Sequence, residues 1–118
     1  MLLVKTAVRS SPIHGLGLFA AQPIKACTNV WYFSPEMDRR FSHAMVERFA
    51  KGGLAMAFLW RFGFRRVIGG DWYICIDDAR YVNHTAKPNL YTDEALDTFA
   101  LRDIAIGEEL TEDYRTFD

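Results

Sequence analysis

Three short segments of the chain contain residues that can bind a ligand or take part in a reaction. They are the glycine loop Gly15-Leu16-Gly17, the pair Asn83-His84, and Tyr114 at the end of an acidic run. Glycine lets backbone groups approach a ligand because no Cβ stands in the way. Tyr81 and Val82 precede the polar pair as if it were half buried, so both polar side chains need hydrogen-bond partners. A phenolic oxygen can orient a reacting group through weak contacts.

Each segment also has an ordinary structural interpretation. The glycines alone are typical of a hairpin turn. The pair Asn83-His84 alone fits a turn that satisfies its own polar groups and ends at Pro88-Asn89. Tyr114 alone fits a surface tyrosine beside a solvated acidic turn. No single segment decides between these interpretations.

The three segments, taken in order along the chain, resemble the motifs of the SET-domain protein-lysine methyltransferases. That family's motifs read roughly G-x-G-x-F-A, then R-F-x-N-H-S-x-x-P-N, then G-E-E-L-T-x-D-Y. The matching segments here are residues 15–20, 80–89 and 107–114, and Thr85 stands where the family usually has serine. The resemblance implies methyl transfer from S-adenosylmethionine, with S-adenosylhomocysteine as product, to a lysine side chain.

The resemblance also assigns roles to individual residues. The glycine loop would lie against the methyl donor, the Asn83 side chain would hold its amino-acid end, and the backbone of His84 would meet the adenine edge. Tyr114 would be the catalytic tyrosine, and Arg80 and Asn89 would be structural. The cofactor-binding residues expected on this basis are His14, Gly15, Leu16, Gly17, Asn83, His84 and Tyr114.

The chemistry implied by the resemblance depends mainly on positioning. The methyl group of a sulfonium is already electrophilic, and the amine must approach it in line at roughly 3 Å. The phenolic oxygen of Tyr114 would orient the methyl group and interact with the sulfonium. The lysine must first lose its proton, and an apolar channel beside a cation lowers its pKa from the reference value of about 10.4. This account requires no dedicated general base.

Aromatic residues are expected to line a channel for the lysine, because its stem is apolar and its amine is attracted to ring faces. Either Tyr32 or Phe33 would hold the place of a second active-site tyrosine of the family, and each candidate also fits an ordinary core aromatic. The channel residues expected are Tyr32, Phe33, Trp72, Tyr73 and Tyr114, with Glu112 beside them.

Two departures from the family pattern concern this channel. Glu112 stands two residues before Tyr114, where eukaryotic members usually have tyrosine or phenylalanine. Its carboxylate would either bind the incoming ammonium or point to solvent. Many members continue with a segment, often cysteine-rich and zinc-bound, that closes the channel, whereas only four residues follow Tyr114 in this sequence. We therefore expect the channel to be completed either by a second copy, in a homodimer, or by the substrate protein.

Two functions from different classes follow from these motifs. The first is an enzyme that methylates a lysine of a protein or peptide substrate. The alternative is a catalytically weak SET-like module that binds cofactor or peptide, which the open carboxy terminus and Glu112 favour. Retention of Asn83, His84 and Tyr114 together favours the enzyme.

Composition narrows the class of protein. The 118 residues predict a single domain spanning 1–118, with a net charge of −1 that argues against nucleic-acid binding. No apolar run is long enough for a membrane span, and the first residues do not form a signal peptide, so a cytoplasmic location is expected. Cys27 and Cys75 lack a C-x-x-C spacing, so we expect buried free thiols and no metal site.

The elements that must position the motifs are mostly short strands. Apolar and β-branched patterns predict strands at 2–9, 18–21, 28–33, 89–92 and 96–101, and a hairpin of 64–68 with 72–76. One helix is expected, starting near Ser34-Pro35-Glu36 and ending at Gly52-Gly53, while residues 54–60 fit either a helix or a strand. This pattern predicts a mainly β, α+β domain. The resemblance adds the SET (β-clip-like) fold with a carboxy-terminal pseudoknot.

Overall fold

The computed structural model describes residues 1–49, 53–65 and 70–116, which fold into many short strands and two α-helices. The strands are β1 (Thr6–Ser10), β2 (Leu16–Ala20), β3 (Asn29–Tyr32), β4 (Arg39–Phe41), β5 (Gly63–Arg65), β6 (Trp72–Ile74), β7 (Asn83–His84), β8 (Leu90–Thr92), β9 (Asp97–Ala100) and β10 (Glu109–Glu112). The helices are α1 (His43–Phe49) and α2 (Leu54–Phe62), with 3₁₀ helices at Asp78–Tyr81 and Tyr114–Thr116.

The sheet that positions the motifs has the strand order β1-β2-β10-β7. β1 and β2 form an antiparallel hairpin, β10 pairs antiparallel with β2, and β7 pairs parallel with β10. Leu18 and Leu110 face each other in the β2–β10 register, and both are fully buried. Burial of this apolar pair fixes the register, because a slip of one residue would turn both side chains to the opposite face.

Two three-stranded sheets complete the described architecture, with orders β3-β9-β8 and β4-β6-β5. The main core gathers side chains from the motif sheet and from the β3-β9-β8 sheet, including Leu18, Val30 and Leu90. A smaller cluster of Leu59, Trp72 and Ile74 lies under the helices. The chain is therefore a mainly β domain in which the helices cover one small sheet.

Most predicted strands are confirmed. β8 and β9 pair antiparallel as expected, and so do β5 and β6 of the predicted hairpin, although residues 66–69 of that hairpin lie outside the described residues. The first strand is shorter than predicted, because Leu2 forms only an isolated bridge to Trp31 and regular pairing begins at Thr6. The pseudoknot threading stays a prediction.

The expected start of the helix is wrong, and Asp38 provides the physical reason. This buried carboxylate accepts hydrogen bonds from the backbone N–H groups of Ser34 (2.8 Å) and Ile76 (2.9 Å), which fixes a turn. β4 then pairs with β6. α1 begins only afterwards, with Ser42 as its N-cap, since the Ser42 Oγ accepts from the N–H of Met45 at 3.3 Å. The predicted helix end at Gly52 lies outside the described residues.

The expectation of one helix is also wrong, because the ambiguous segment 54–60 is part of the second helix, α2. α2 buries Leu59, whereas Leu54, Phe58 and Trp60 are exposed. In the described part of the chain, neither helix is long and apolar enough to cross a membrane. Closure of a channel by a second copy stays a prediction.

The two cysteines are free thiols, but only Cys75 is buried. Cys27 is exposed, contrary to expectation, since it lies in a turn with a φ of 67° that directs its side chain away from the core. Its backbone N–H still donates to the carbonyl of Ala100 at 2.8 Å. The apolar residues near Cys27 suggested a buried side chain, whereas the chain turns at this position and the side chain is exposed.

Candidate functional site

The parallel pairing of β7 with β10 joins the second and third motifs. Asn83 lies opposite Thr111, and His84 lies opposite Glu112. Immediately after β10, the backbone N–H of Tyr114 donates to Nδ1 of His84 at 3.0 Å, and the two rings lie 5.4 Å apart. The prediction that the terminal tyrosine meets the asparagine–histidine turn is confirmed.

The phenol of Tyr114 points back toward the turn that precedes β7. Its hydroxyl donates a hydrogen bond to the carbonyl oxygen of Val82, while part of the ring is exposed. Burial of the hydroxyl raises the pKa of Tyr114 above its ordinary value, and the nearby charge of Glu112 raises it further. The phenol therefore stays protonated near neutral pH, with its oxygen held in a fixed direction.

Asn83 connects the glycine loop to β10. Its Nδ2 donates to the carbonyl oxygens of His14 and Leu16, both at 3.1 Å, and to Glu109 Oε2 at 3.0 Å. Gly15 has a φ of 46°, a conformation that favours glycine, and a Cβ there would meet open space. The loop is thus held from one side by Asn83 and exposes its backbone on the other.

Glu109 is the residue around which the first and third motifs pack, although its position in the acidic run did not mark it as a site residue. Its carboxylate accepts hydrogen bonds from the Ser11 Oγ at 2.8 and 2.9 Å as well as from Asn83. A Cβ on Gly17 would lie 2.5 Å from Glu109 Oε2. A side chain at position 17 would displace the Glu109 carboxylate, whereas the positive φ at position 15 favours glycine in the turn.

A cavity of about 240 Å³ lies between Tyr114 and the carboxy-terminal end of α2. This volume is below the roughly 300–1,000 Å³ of typical small-molecule sites, so it suits a single side chain better than a whole cofactor. Much of the wall is aromatic, with Trp31, Trp60, Phe62, Phe64 and Trp72. The polar members include Thr92, Thr98, Glu112 and Tyr114.

The five predicted channel residues other than Tyr114 fall into two groups. Trp72 and Glu112 line the cavity. Tyr32 is exposed at the end of β3, while Phe33 and Tyr73 pack edge to face in the core with ring centroids 5.5 Å apart. A role for these three in a channel stays a prediction.

Comparison with protein families identifies the chain. Residues 15–115 match the family model of the SET domain. This chain belongs to the SET-domain family. The fold expected from the motifs is therefore confirmed, and the matched residues include all three motifs.

Relatives of this SET domain are similar to it over a small part of their length. Histone-lysine N-methyltransferase ATX2 of Arabidopsis thaliana is 33% identical over 125 residues, which cover 96% of this chain and 11% of that protein. An H3 lysine-4 specific histone-lysine N-methyltransferase of Chaetomium globosum is 32% identical over 113 residues, with coverages of 89% and 10%. The chain thus spans about a tenth of the length of these curated relatives.

Solved structures with the same fold include a SET domain within a larger assembly. The SET domain superposes on ctPRC2, in an autoinhibited conformation bound to S-adenosylmethionine, with a TM-score of 0.73 and 22% identity, covering 97% of this chain and 15% of that chain. A humanized mutant of the Chaetomium thermophilum Polycomb Repressive Complex 2 gives a TM-score of 0.72 at 23% identity, with coverages of 97% and 15%. These likenesses show the fold.

Glu112 differs from the other acids of this SET domain because its side chain is buried inside the domain. The residue is 8% exposed, and its Oε1 accepts a hydrogen bond from the Thr92 Oγ1 at 2.8 Å. The Thr92 hydroxyl in turn lies 2.6 Å from that of Thr98. Burial raises the pKa of Glu112 to about 7, and the hydrogen bond from Thr92 opposes that rise. The carboxylate faces the cavity and not the solvent.

The raised pKa of Glu112 predicts a stability that depends on pH. Between about pH 4.5 and 7 the folded chain holds a proton on Glu112 that the unfolded chain has lost, so the free energy of unfolding falls as pH rises through this window. The two pKa values differ by an amount that corresponds to about 3 kcal/mol. Glu112→Gln is therefore expected to be more stable than wild type at pH 8 by up to about that amount, and similar to it below pH 5.

Urea unfolding of both chains from pH 5 to 8 measures this difference directly. The comparison isolates Glu112, because the shifts of Asp113 and Glu108, whose pKa values lie below their ordinary values, are common to both chains. Parallel stability curves for wild type and Glu112→Gln would contradict the expectation.

The acidic residues of the site do not form a metal-binding cluster in the part of the chain that the structure describes. Within residues 1–49, 53–65 and 70–116, no group of three or more His, Cys, Asp or Glu side chains is arranged to hold a metal ion. Two acids of the carboxy-terminal motif have arginine partners, since Asp113 accepts from the Arg115 guanidinium at 2.8 Å and Glu108 pairs with Arg102.

Proposed function

We propose that this SET domain transfers a methyl group from S-adenosylmethionine to the side-chain amine of a lysine in a protein. The observation that supports the proposal most is the meeting of Tyr114 with the Asn83-His84 strand beside an aromatic cavity. The relatives named as histone-lysine N-methyltransferases support the same chemistry. The substrate would be a protein or peptide that presents a lysine.

The residues around the glycine loop fit the methyl donor. The loop exposes backbone at His14, Gly15 and Leu16, and the side chain of His84 is 43% exposed beside it. In the separate aromatic cavity, two buried donors, Trp31 Nε1 and Arg80 Nε, have no hydrogen-bond partner within the described residues, so they do not bear on the loop. Unsatisfied buried donors are typical of sites completed by a ligand or water. His14, Gly15, Leu16, Gly17, Asn83 and His84 would hold the donor.

S-adenosylmethionine, when bound, supplies an electrophilic methyl group on a sulfonium. The chain supplies position and exclusion of water. The aromatic walls would pack against the apolar stem of a lysine, and the ring of Trp72, which contacts Trp60 edge to face at 5.2 Å, forms a rigid part of that wall. The phenolic oxygen of Tyr114, fixed by its hydrogen bond to Val82, would orient the reacting groups.

The test is transfer of labelled methyl groups. Purified chain is incubated with S-adenosylmethionine labelled in the methyl group and a lysate of the source organism, and label on lysine is identified after digestion. Label on a discrete protein, present as methylated lysine, is the expected result. Binding of the donor measured by calorimetry, without transfer to any protein or peptide, would favour the alternative of a catalytically weak binding module.

A further inference from the structure

Glu112 lies in the wall of the aromatic cavity beside Tyr114. Among the described residues that line the cavity, it is the one carboxylate. It follows Leu110 by two positions on β10, so both side chains point to the same, buried face of the strand. The carboxylate therefore reaches an aromatic-walled space from inside the domain.

Among the described residues, the carboxylate of Glu112 has no cation as partner. No ion pair to Glu112 forms from residues 1–49, 53–65 or 70–116. Two arginines of the cavity wall, Arg61 and Arg80, place their guanidinium groups over the ring of Phe62 at 5.1 and 5.4 Å. Only Oε1 of Glu112 accepts a hydrogen bond within the described residues, from Thr92. A buried carboxylate of this kind must either stay protonated or receive a cation.

We propose that Glu112 binds the ammonium group of the incoming lysine inside the cavity and accepts its proton, an inference that rests on the proposed methyl transfer. An N–H bond of the lysine Nζ breaks, and its electron pair remains on nitrogen as the lone pair that attacks the methyl group. The proton forms an O–H bond at Oε2 of Glu112, because Oε1 is engaged by Thr92. An ammonium and a carboxylate thereby become a neutral amine and a neutral acid, which low-dielectric surroundings favour.

Among the ionisable groups near the cavity, Glu112 is the one suited to accept a proton from the lysine amine. Burial raises the pKa of Cys75 and of Tyr114, so both stay neutral near pH 7, whereas the pKa of Glu112 is about 7. Asp113 stays ionised, since the Arg115 guanidinium lowers its pKa to about 2. The charged and titratable groups around Glu112 are Asp113 on its own segment, His84 opposite it on β7, and, in the cavity wall, Cys75, Tyr114, Arg61, Arg65 and Arg80.

Binding of n-butylammonium, a mimic of the lysine side chain, tests the proposal without the methyl donor. NMR titrations of the chain are run between about pH 5.5 and 8.5, with 1-butanol as the uncharged analogue. For wild type we expect n-butylammonium to bind about tenfold tighter at the upper pH, with a midpoint near the pKa of Glu112, and 1-butanol to show no pH dependence. Glu112→Gln is expected to lose that gain and its pH dependence.

Two further variants make the result specific to this carboxylate. Thr92→Val removes the hydrogen bond that lowers the pKa of Glu112, so the midpoint of n-butylammonium binding should move to higher pH. Glu36→Gln, which changes an exposed acid outside the cavity, should bind n-butylammonium as wild type does. A persistent pH dependence in Glu112→Gln would assign the titration to another group, His84 included, and would overturn the proposal.

The pH profile of kcat/KM for methyl transfer tests the role of Glu112 separately from the proposed methyl transfer itself. If wild type transfers methyl groups and Glu112→Gln gives the same pH profile, the role of Glu112 is overturned and the methyl transfer stands. If wild type transfers no methyl group although n-butylammonium binds through Glu112, the proposed function is overturned, together with the proton-accepting step.

Discussion

Tyr114→Phe is expected to lower kcat for methyl transfer by about 100-fold or more, while the domain remains folded. The variant removes one oxygen atom and keeps the ring, which lies 5.4 Å from that of His84. The lost hydroxyl is the group that donates to Val82 and is held facing the cavity side of β7. Without that oxygen, a reacting methyl group and amine lose the contact that aligns them.

A matched control is Tyr91→Phe, which removes the hydroxyl of an exposed tyrosine on β8. Single-turnover rates with saturating S-adenosylmethionine, and urea unfolding of both variants, separate loss of chemistry from loss of fold. Tyr91→Phe should retain the rate of wild type. A rate for Tyr114→Phe within about threefold of wild type would show that the phenol does not orient the reacting groups.

The three motifs could be predicted from the sequence because each is a local pattern with a local structural reason. Gly15 has a positive φ, and Gly17 packs against the carboxylate of Glu109. Both conditions favour glycine, so the pair could be recognised as a motif in the sequence. Their mutual position could not be derived in the same way. The pairs Thr111↔Asn83 and Glu112↔His84 join residues 28 positions apart in a parallel ladder, and no local propensity specifies such a pairing.

The sequence alone did not decide whether the Glu112 side chain binds the incoming ammonium or points to solvent. The alternation of side chains along a strand could have decided whether it is buried. In Glu109-Leu110-Thr111-Glu112, alternate residues share a face, and Leu110 is fully buried. Glu112 therefore faces the core with Leu110, whereas Glu109 faces Ser11 and Asn83. The sequence of this acidic run suggests that all its side chains are solvated. In the structure, Glu109 is hydrogen-bonded to Ser11 and Asn83, whereas Glu112 is buried beside the cavity.

The misplaced helix shows the opposite case, where a good local signal was overridden by long-range contacts. Ser34-Pro35-Glu36 is typical of a helix start, but Asp38 fixes a turn there through its bonds to Ser34 and Ile76. The bond to Ile76 spans 38 positions. The sequence predicted a helix that starts at Ser34, whereas the serine that caps α1 is Ser42.

Asn89→Ala is expected to destabilise the domain by about 3–5 kcal/mol, because it removes two hydrogen bonds between β10 and the residue that precedes β8. Asn89 is 2% exposed. Its Nδ2 donates to the carbonyl oxygen of Glu109 at 2.8 Å, and its Oδ1 accepts from the backbone N–H of Thr111 at 2.9 Å. Alanine leaves the buried N–H of Thr111 and the partly buried carbonyl of Glu109 without these partners, and each loss costs roughly 1–3 kcal/mol.

Asn29→Ala is the matched control, since Asn29, in β3, is an asparagine with the opposite hydrogen-bond status. Within the described residues, Asn29 Oδ1 is buried and has no hydrogen-bond partner. Its removal should therefore change the free energy of unfolding by less than about 1 kcal/mol. Urea unfolding of both variants at one pH measures the contrast. Equal losses in the two variants would mean that the amide of Asn89 contributes by packing alone, and that β10, which carries Glu112 and leads into Tyr114, is held in place by its strand pairing with β2 and β7.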